Sequence, residues 1–164
     1  MKRVTVWGVA LAAVAVVLAA AYVRGDPRQI RRRLDALAET ASVNGAEGDI
    51  DRLARVARIG GFFTEDVVIR RSEDNSKFVG GRRAVAGMAM QAAAEQRTMK
   101  VSIANVGITI ADRENATAHM TIVVSTNNAE AESVDLRQVT ATFRKVNGTW
   151  LISQAQVLPA HEGQ

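Results

Sequence analysis

The strongest constraint on the fold is a run of twenty residues without a charge, Val4 to Val23, near the start of the 164-residue chain. As a helix the run would measure roughly 30 Å, about the thickness of the hydrocarbon core of a bilayer. Trp7 and Tyr22 stand near its two ends, where amphipathic rings favour the membrane–water interface. We therefore expect a transmembrane anchor over residues 1–24, a juxtamembrane linker over 25–28, a folded domain over 29–158 and a tail over 159–164.

A cleaved signal peptide is the competing interpretation of the same run. Lys2 and Arg3 precede it, and Ala19 to Ala21 offer small residues for cleavage. The arginines that follow disfavour export of a cleaved protein, so a single-pass anchor is favoured. The charges at the two ends argue for opposite orientations by the positive-inside rule. Because the short basic N-terminus resembles an export signal, we expect an extracytoplasmic domain.

The positive charge of the chain is concentrated beside the apolar run. Residues 24–33 contain five arginines and one aspartate, whereas from Leu34 onward there are 14 Lys and Arg against 16 Asp and Glu. Basic residues beside a membrane span attract anionic lipid. The sequence thus predicts a lipid bilayer as the partner of Val4–Val23 and its flanking arginines. It argues against a nucleic-acid partner, because the domain has no basic surplus.

Cysteine is absent, and the two histidines are His119 and His161. Disulfides, thiolate metal sites and a cysteine nucleophile are therefore excluded. No carboxylate stands at metal-ligand spacing beside either histidine, and the chain contains no phosphate-binding glycine loop or hydrolase motif. We expect no metal and no cofactor, and no residue is assigned a catalytic role.

Apolar spacing predicts three helices. Asp26 is a candidate cap of the first helix, with Pro27 at its first position and one apolar stripe formed by Ile30, Leu34, Leu37 and Ala41. The second is expected to be capped by Asp49. Its buried positions are predicted to be Ile50, Leu53, Val56 or Ala57 and Ile59, with Arg52, Arg55 and Arg58 in solvent. The third starts at Gly80 to Arg83 and runs to about Gln96.

The remaining pattern has the period of two that is typical of strands. A short strand is predicted at Val67–Ile69, followed by a polar loop from Arg71 to Lys77. Four longer strands are expected at Val101–Ile110, Thr117–Val124, Leu136–Val146 and Thr149–Val157. Asn147-Gly148 predicts a tight hairpin between the last two. The alternation places Met120 and Ile122 on one face and His119 on the other, and the order of elements indicates an α+β fold.

The order of these elements, together with its local sequence, resembles the NTF2-like superfamily, which includes SnoaL-like cyclases and ketosteroid isomerases. The resemblance rests on the amphipathic first helix, the passage Ile59 to Ile69, the stretch Gly80 to Val85 and the final hairpin Thr142 to Ile152. It implies a cone in which three helices pack on a curved, mainly antiparallel sheet, with a pocket at the open end and often a homodimer formed through the sheet. The pocket lining implied by this cone is Met120, Ile122, Val139, Ala141 and Phe143.

The catalytic positions of ketosteroid isomerases are not kept. The resemblance places Arg71 where those enzymes carry the general base and Ala141 where they carry the oxyanion acid, and the only tyrosine, Tyr22, lies in the apolar run. An arginine cannot abstract a proton at neutral pH. Two arginine pairs, Arg70-Arg71 and Arg82-Arg83, are candidate anion contacts, although solvated charges are the simpler interpretation.

The sequence therefore predicts a membrane-anchored, non-catalytic NTF2-like module that binds a small apolar ligand or a protein partner. One alternative is a SnoaL-like isomerase, cyclase or hydrolase whose acid–base pair is not identified. The other is a structural, dimerising component of an envelope complex.

Overall fold

The computed structural model describes residues 25–45, 47–71, 77–95, 98–128 and 131–158. Its helices are α1 (residues 25–41), α2 (Asp49–Gly60) and α3 (Arg82–Glu95). Among these residues, none of the helices combines the length and the apolar character that crossing a bilayer requires. The predicted anchor Val4–Val23 lies outside the described residues.

The described strands form one seven-stranded sheet in the order β1-β4-β5-β6-β7-β2-β3. Neighbouring strands are antiparallel except β7 and β2, which are parallel. The strands are β1 (Val43–Asn44), β2 (Phe63–Arg71), β3 (Lys77–Gly80), β4 (Thr98–Ile110), β5 (Asn115–Asn128), β6 (Ala131–Val146) and β7 (Thr149–Val157). The expected α+β class, with three helices on a curved and mainly antiparallel sheet, is confirmed.

The predicted hairpin is also confirmed, because Asn147 and Gly148 both adopt positive φ, at 49° and 78°. A β-bulge that bends the sheet was not predicted. The pairing of β4 with β5 shifts register between Ala104 and Gly107, and Asn105 in this bulge has a φ of 53°. Bulges increase the local twist of a strand. The bulge therefore divides β4 into two segments that follow the curve of the sheet.

The hydrophobic core lies between the three helices and one face of the sheet, which we call the inner face; the opposite face is the outer face. Ile30 and Leu34 of α1, Ile59 of α2 and Val85 of α3 are buried there. Trp150 and Phe143 are the largest fully buried side chains of the sheet. Burial of one apolar stripe per helix is what holds each helix on the sheet.

The first helix differs from prediction at its first described turn. Residues 25–28 were expected to form a linker, and Asp26 to cap the helix, but these residues are themselves helical. The Asp26 side chain is buried, and its Oδ1 accepts hydrogen bonds from Lys145 Nζ at 2.7 Å and Trp150 Nε1 at 3.2 Å. Asp26 is therefore not the predicted cap, since it lies within the helix and its carboxylate binds side chains on distant strands.

The second helix has a narrower buried stripe than predicted. Val56 and Ile59 are buried, but Ile50 is 82% exposed and Leu53 is 58% exposed. The N-cap is Gly48 and not Asp49. Arg55 was placed in solvent but is buried, since its guanidinium makes three hydrogen bonds to the carboxylate of Glu47, the shortest at 2.7 Å. A bidentate ion pair is what allows a guanidinium to be buried.

The strand predictions were too short at several ends. The short strand Val67–Ile69 is the middle of β2, and β1 and β3 were not predicted at all. Lys77, which was expected to end a loop, begins β3. Asp135 was expected to precede its strand but lies within β6, because pairing of β5 with β6 continues to Asn128 and Ala131.

Candidate ligand-binding site

The five residues predicted to line a pocket do lie side by side on the inner face. Register pairs Met120 with Val139, while Phe143 and Ala141 follow at alternate positions of the same strand. Four of them are nearly inaccessible and pack in the hydrophobic core, with exposures of 1–6%. Ile122 packs against that core but stays partly exposed. Access to the inner face therefore begins near Ile122.

The inner face is progressively uncovered along β5. Ala116 and Ala118 are buried, with 1% and 0% exposure, whereas Ile122 and Val124 are partly exposed. Ile103, the partner of Ile122 on β4, is also partly exposed, and so is Val157, the partner of Val139 on β7. We call the region of Ile103, Ile122, Val124 and Val157 the open end of the inner face. These four side chains are apolar and partly exposed.

Two charged side chains stand at the open end, and sequence reasoning missed their position. Arg137 pairs directly with Ile122, and Asp135 pairs with Val124. Residues that are directly opposite in an antiparallel pair share a face, so both side chains project on the inner side. Arg137 Nε donates to Asp135 Oδ2 at 3.0 Å. Alternation counted backwards from Val139 gives this face for Arg137, which lay within the predicted strand, and for Asp135, which lay one residue before it.

Neutral polar groups continue the same face beyond these charges. Thr126 pairs with Ser133, and their hydroxyl oxygens are 2.7 Å apart. Along β6 the inner face thus changes from apolar residues at Val139 to a charged pair and then to hydroxyl groups. Such a sequence of surfaces suits an amphipathic molecule better than a wholly apolar one.

The four candidate anion contacts are not brought together. Arg71 pairs with Val157 on the inner face, whereas Arg70 pairs with Gln156 on the outer face. Arg82 donates from Nε to the Phe63 carbonyl at 3.0 Å, near the start of β2. This bond directs the Arg82 side chain towards the start of β2, whereas Arg70 and Arg71 lie at its end.

Arg82 and Arg83 line a different groove, of about 540 Å³, together with Glu65, Gly80 and Gly81. Arg82 Nη1 is 4.0 Å from Glu65 Oε1 there. This groove lies at the beginning of α3 and includes Glu65 near the start of β2, whereas Arg71 is the last residue of that strand.

His119 projects from the outer face, as the alternation predicted. Its Nδ1 is 3.0 Å from Thr140 Oγ1, and the ring lies in a groove of about 270 Å³ that also includes Asn105 and Gln138. The described residues contain no group of three or more His, Asp or Glu side chains that could hold a metal. His161 lies outside the described residues.

Lowered pKa values occur away from the open end. The hydrogen bond from Arg55 lowers the pKa of Glu47, and the Asn115 side chain, followed by the backbone N–H of Glu114, lowers that of Asp112. Glu47 precedes α2 and Asp112 lies in the β4–β5 turn. A general acid or base requires a pKa near the working pH, and these shifts move the carboxyl groups in the opposite direction.

Known proteins share this architecture. An NTF2-like protein with a cystatin-like fold from Novosphingobium aromaticivorans aligns with a TM-score of 0.69 and 15% identity, over 90% of each chain. A proposed scytalone dehydratase from the same organism aligns with a TM-score of 0.71 and 13% identity, over 88% of this chain and 99% of that one. A proposed aromatic ring hydroxylase from that organism gives 0.66 and 13%, over 83% and 90%. At these identities the likeness shows the fold.

No curated protein sequence matches the chain significantly. The sequence profile of the SnoaL-like domain matches residues 50–156, which include α2, α3 and most of the sheet. Because this match extends over more than half of the chain, the protein belongs to the SnoaL-like domain family.

Proposed function

We propose that this protein is a membrane-anchored SnoaL-like module that binds a small apolar ligand at the open end of the inner face and performs no chemistry on it. The observation that carries the proposal is the accessible apolar surface of Ile103, Ile122 and Val157, which is continuous with the core. A ligand that covers these side chains removes apolar surface from water, and this burial drives binding.

The groups around the open end support binding over catalysis. Arg71 occupies the position of the general base of ketosteroid isomerases and is exposed at the end of β2, while Ala141 has no polar side-chain atom. His119 lies on the opposite face of the sheet from Ile122. Asp135, the carboxylate at the open end, is bound to Arg137. No described acid–base pair faces this surface.

Anchoring of the module rests on the run Val4–Val23 and on the arginines that follow it. Arg28, Arg31 and Arg32 are exposed on α1, and such residues attract anionic headgroups when they lie close to a membrane. In this proposal the bilayer holds the domain near a source of apolar molecules, with the domain on the extracytoplasmic side.

A second candidate role, self-association through the outer face, is favoured by one observation. Val134 and Leu136 of β6 are 55% and 54% exposed on this face. Exposed apolar side chains on a long strand of this kind suit contact with a second sheet. This role is compatible with ligand binding, since the two surfaces lie on opposite faces.

Binding at the open end is testable with a single introduced thiol, because the chain contains no cysteine. Full-length Ile103→Cys protein in nanodiscs is alkylated with a maleimide, with and without methyl laurate. Ser102→Cys, on the exposed outer face of the same strand, is the matched control. We expect methyl laurate to slow alkylation of the Ile103→Cys thiol alone.

Equal alkylation rates with and without the ester in the Ile103→Cys protein would contradict ligand binding at this surface. Turnover of a steroid or polyketide-like substrate by the purified protein, lost on substitution of Asp135 or His119, would favour the enzymatic alternative.

A further inference from the structure

We propose that the ligand of the open end is an anionic amphiphile, whose carboxylate binds to Arg137 while its apolar chain lies on Ile122, Ile103 and Val157. This inference rests on the proposed function, because it names the class of ligand for the same surface. It starts from two charged residues that an apolar ligand would not use.

Arg137 projects from the inner face among the apolar residues of the open end. The residue lies directly opposite Ile122 and two positions before Val139 on the same face of β6. Its side chain is 43% exposed, so part of it is covered by neighbouring residues and part remains accessible to a ligand. Long cationic side chains commonly adopt this arrangement at apolar surfaces.

The guanidinium of Arg137 has unused donors. Only its Nε is engaged, in the 3.0 Å bond to Asp135 Oδ2. Within the described residues, the two terminal nitrogens make no hydrogen bond. A guanidinium presents its N–H groups in a planar fork that matches a carboxylate. The bond to Asp135 holds one edge of this fork and leaves another edge for a ligand.

The position of the Arg137 guanidinium favours an anionic ligand over a neutral one. Asp135 takes up only the Nε edge of this group, and the group lies on the same face as Ile122. A neutral ligand of the same shape would draw water away from Arg137 without replacing the lost hydrogen bonds, which is unfavourable.

The experiment compares laurate with methyl laurate, which differ in the charged headgroup. The reporter is the Ile103→Cys thiol of the full-length protein in nanodiscs, at a pH well above the pKa of laurate in a bilayer. Each variant is normalised to its own rate without ligand. We expect half-maximal protection at a laurate concentration roughly tenfold or more below that of the ester, as a charge-assisted bond requires.

Three variants test the role of the guanidinium. Arg137→Gln is expected to abolish the preference for laurate, and Arg137→Lys to keep part of it, because the charge remains without the planar fork. Arg113→Gln, which removes the same charge in the exposed β4–β5 turn, is the matched control and should retain the preference. Asp135→Asn should raise the affinity for laurate, since it removes the anion nearest to Arg137.

The two proposals fail in different ways. Equal protection by laurate and its ester, unchanged in Arg137→Gln, would overturn the carboxylate assignment and leave binding of an apolar ligand standing. A loss of the preference in Arg113→Gln or in Asp135→Asn would also overturn it. Protection by neither compound would refute the proposed function itself.

Discussion

The cluster of Asp26, Lys145 and Trp150 offers a sharp test of how the first helix is held on the sheet. Asp26 is 2% exposed and lies where the described domain meets residues 1–24. Lys145 Nζ is 2.7 Å from Asp26 Oδ1 and 5.0 Å from the centroid of the Trp150 ring. Lys145 is itself largely buried, with 11% side-chain exposure. The three groups therefore form a largely buried cluster that joins α1, β6 and β7.

The perturbation is Asp26→Asn, which keeps the size of the side chain and an oxygen acceptor for Trp150 Nε1. It removes the negative charge that lies 2.7 Å from the largely buried ammonium of Lys145. Breaking a buried pair costs about 3–5 kcal/mol when one partner is removed outright. Because the amide keeps a hydrogen bond, we expect the free energy of unfolding to fall by about 2–3 kcal/mol.

The assay is urea and thermal unfolding of the full-length protein followed by circular dichroism. For a domain of this size the predicted loss lowers the Tm by roughly 6–12 °C. A double-mutant cycle with Lys145→Met isolates the pair. We expect Lys145→Met to cost a similar amount, and the double variant to cost about 2 kcal/mol less than the sum of the single costs.

Additive costs, to within about 0.5 kcal/mol, would mean that Asp26 and Lys145 are not coupled and that their ion pair does not hold α1 on the sheet. A loss below about 1 kcal/mol for Asp26→Asn would refute the stated burial. Trp150→Phe provides a further comparison, since it removes the Nε1 donor and leaves the ion pair in place.

Two further predictions follow from the structure. Glu47→Gln should destabilise the protein by about 2–3 kcal/mol at neutral pH, because Arg55 is left buried without its charge partner. Glu47 has a lowered pKa, so its stabilising effect is present above the ordinary pKa of glutamate and is lost as the pH falls through the lower folded-state value. The difference in Tm between parent and variant should therefore shrink in acid, and a constant difference would contradict the ion pair. For self-association, Leu136→Glu should convert a dimer into a monomer in sedimentation experiments, whereas Val146→Glu near the hairpin should not; a monomeric parent protein would rule out this interface.

Alternation along single strands was enough to predict much of the inner face. Met120 and Val139 are buried and His119 is exposed, as the period of two required. The same rule was not applied to Arg137, because an arginine in an alternating strand is ordinarily taken as a solvent-facing residue. Alternation from Val139 gives its face, but its position opposite Ile122 depends on the register between β5 and β6.

The four candidate anion contacts are dispersed for a related reason. Arg70 and Arg71 are neighbours in sequence, but successive strand residues project to opposite faces. Arg82 donates a hydrogen bond to the Phe63 carbonyl, 19 positions earlier in the chain, and so points away from Arg70 and Arg71. Closeness in sequence therefore said little about closeness in space, and the only member of the four that shares the inner face with Ile122 is Arg71.

Local sequence patterns were enough to predict the features that depend on one element or one turn. These are the buried stripe of Ile30 and Leu34, the hairpin at Asn147-Gly148 and the alternation of the long strands, because backbone periodicity and the φ preference of two residues are local properties. The features that join distant residues depend on the three-dimensional arrangement of the elements. Asp26 binds Lys145 across 119 positions, and β2 runs parallel to β7. Such contacts depend on the order and register of strands, which local composition does not encode. The charged open end belongs to this second group.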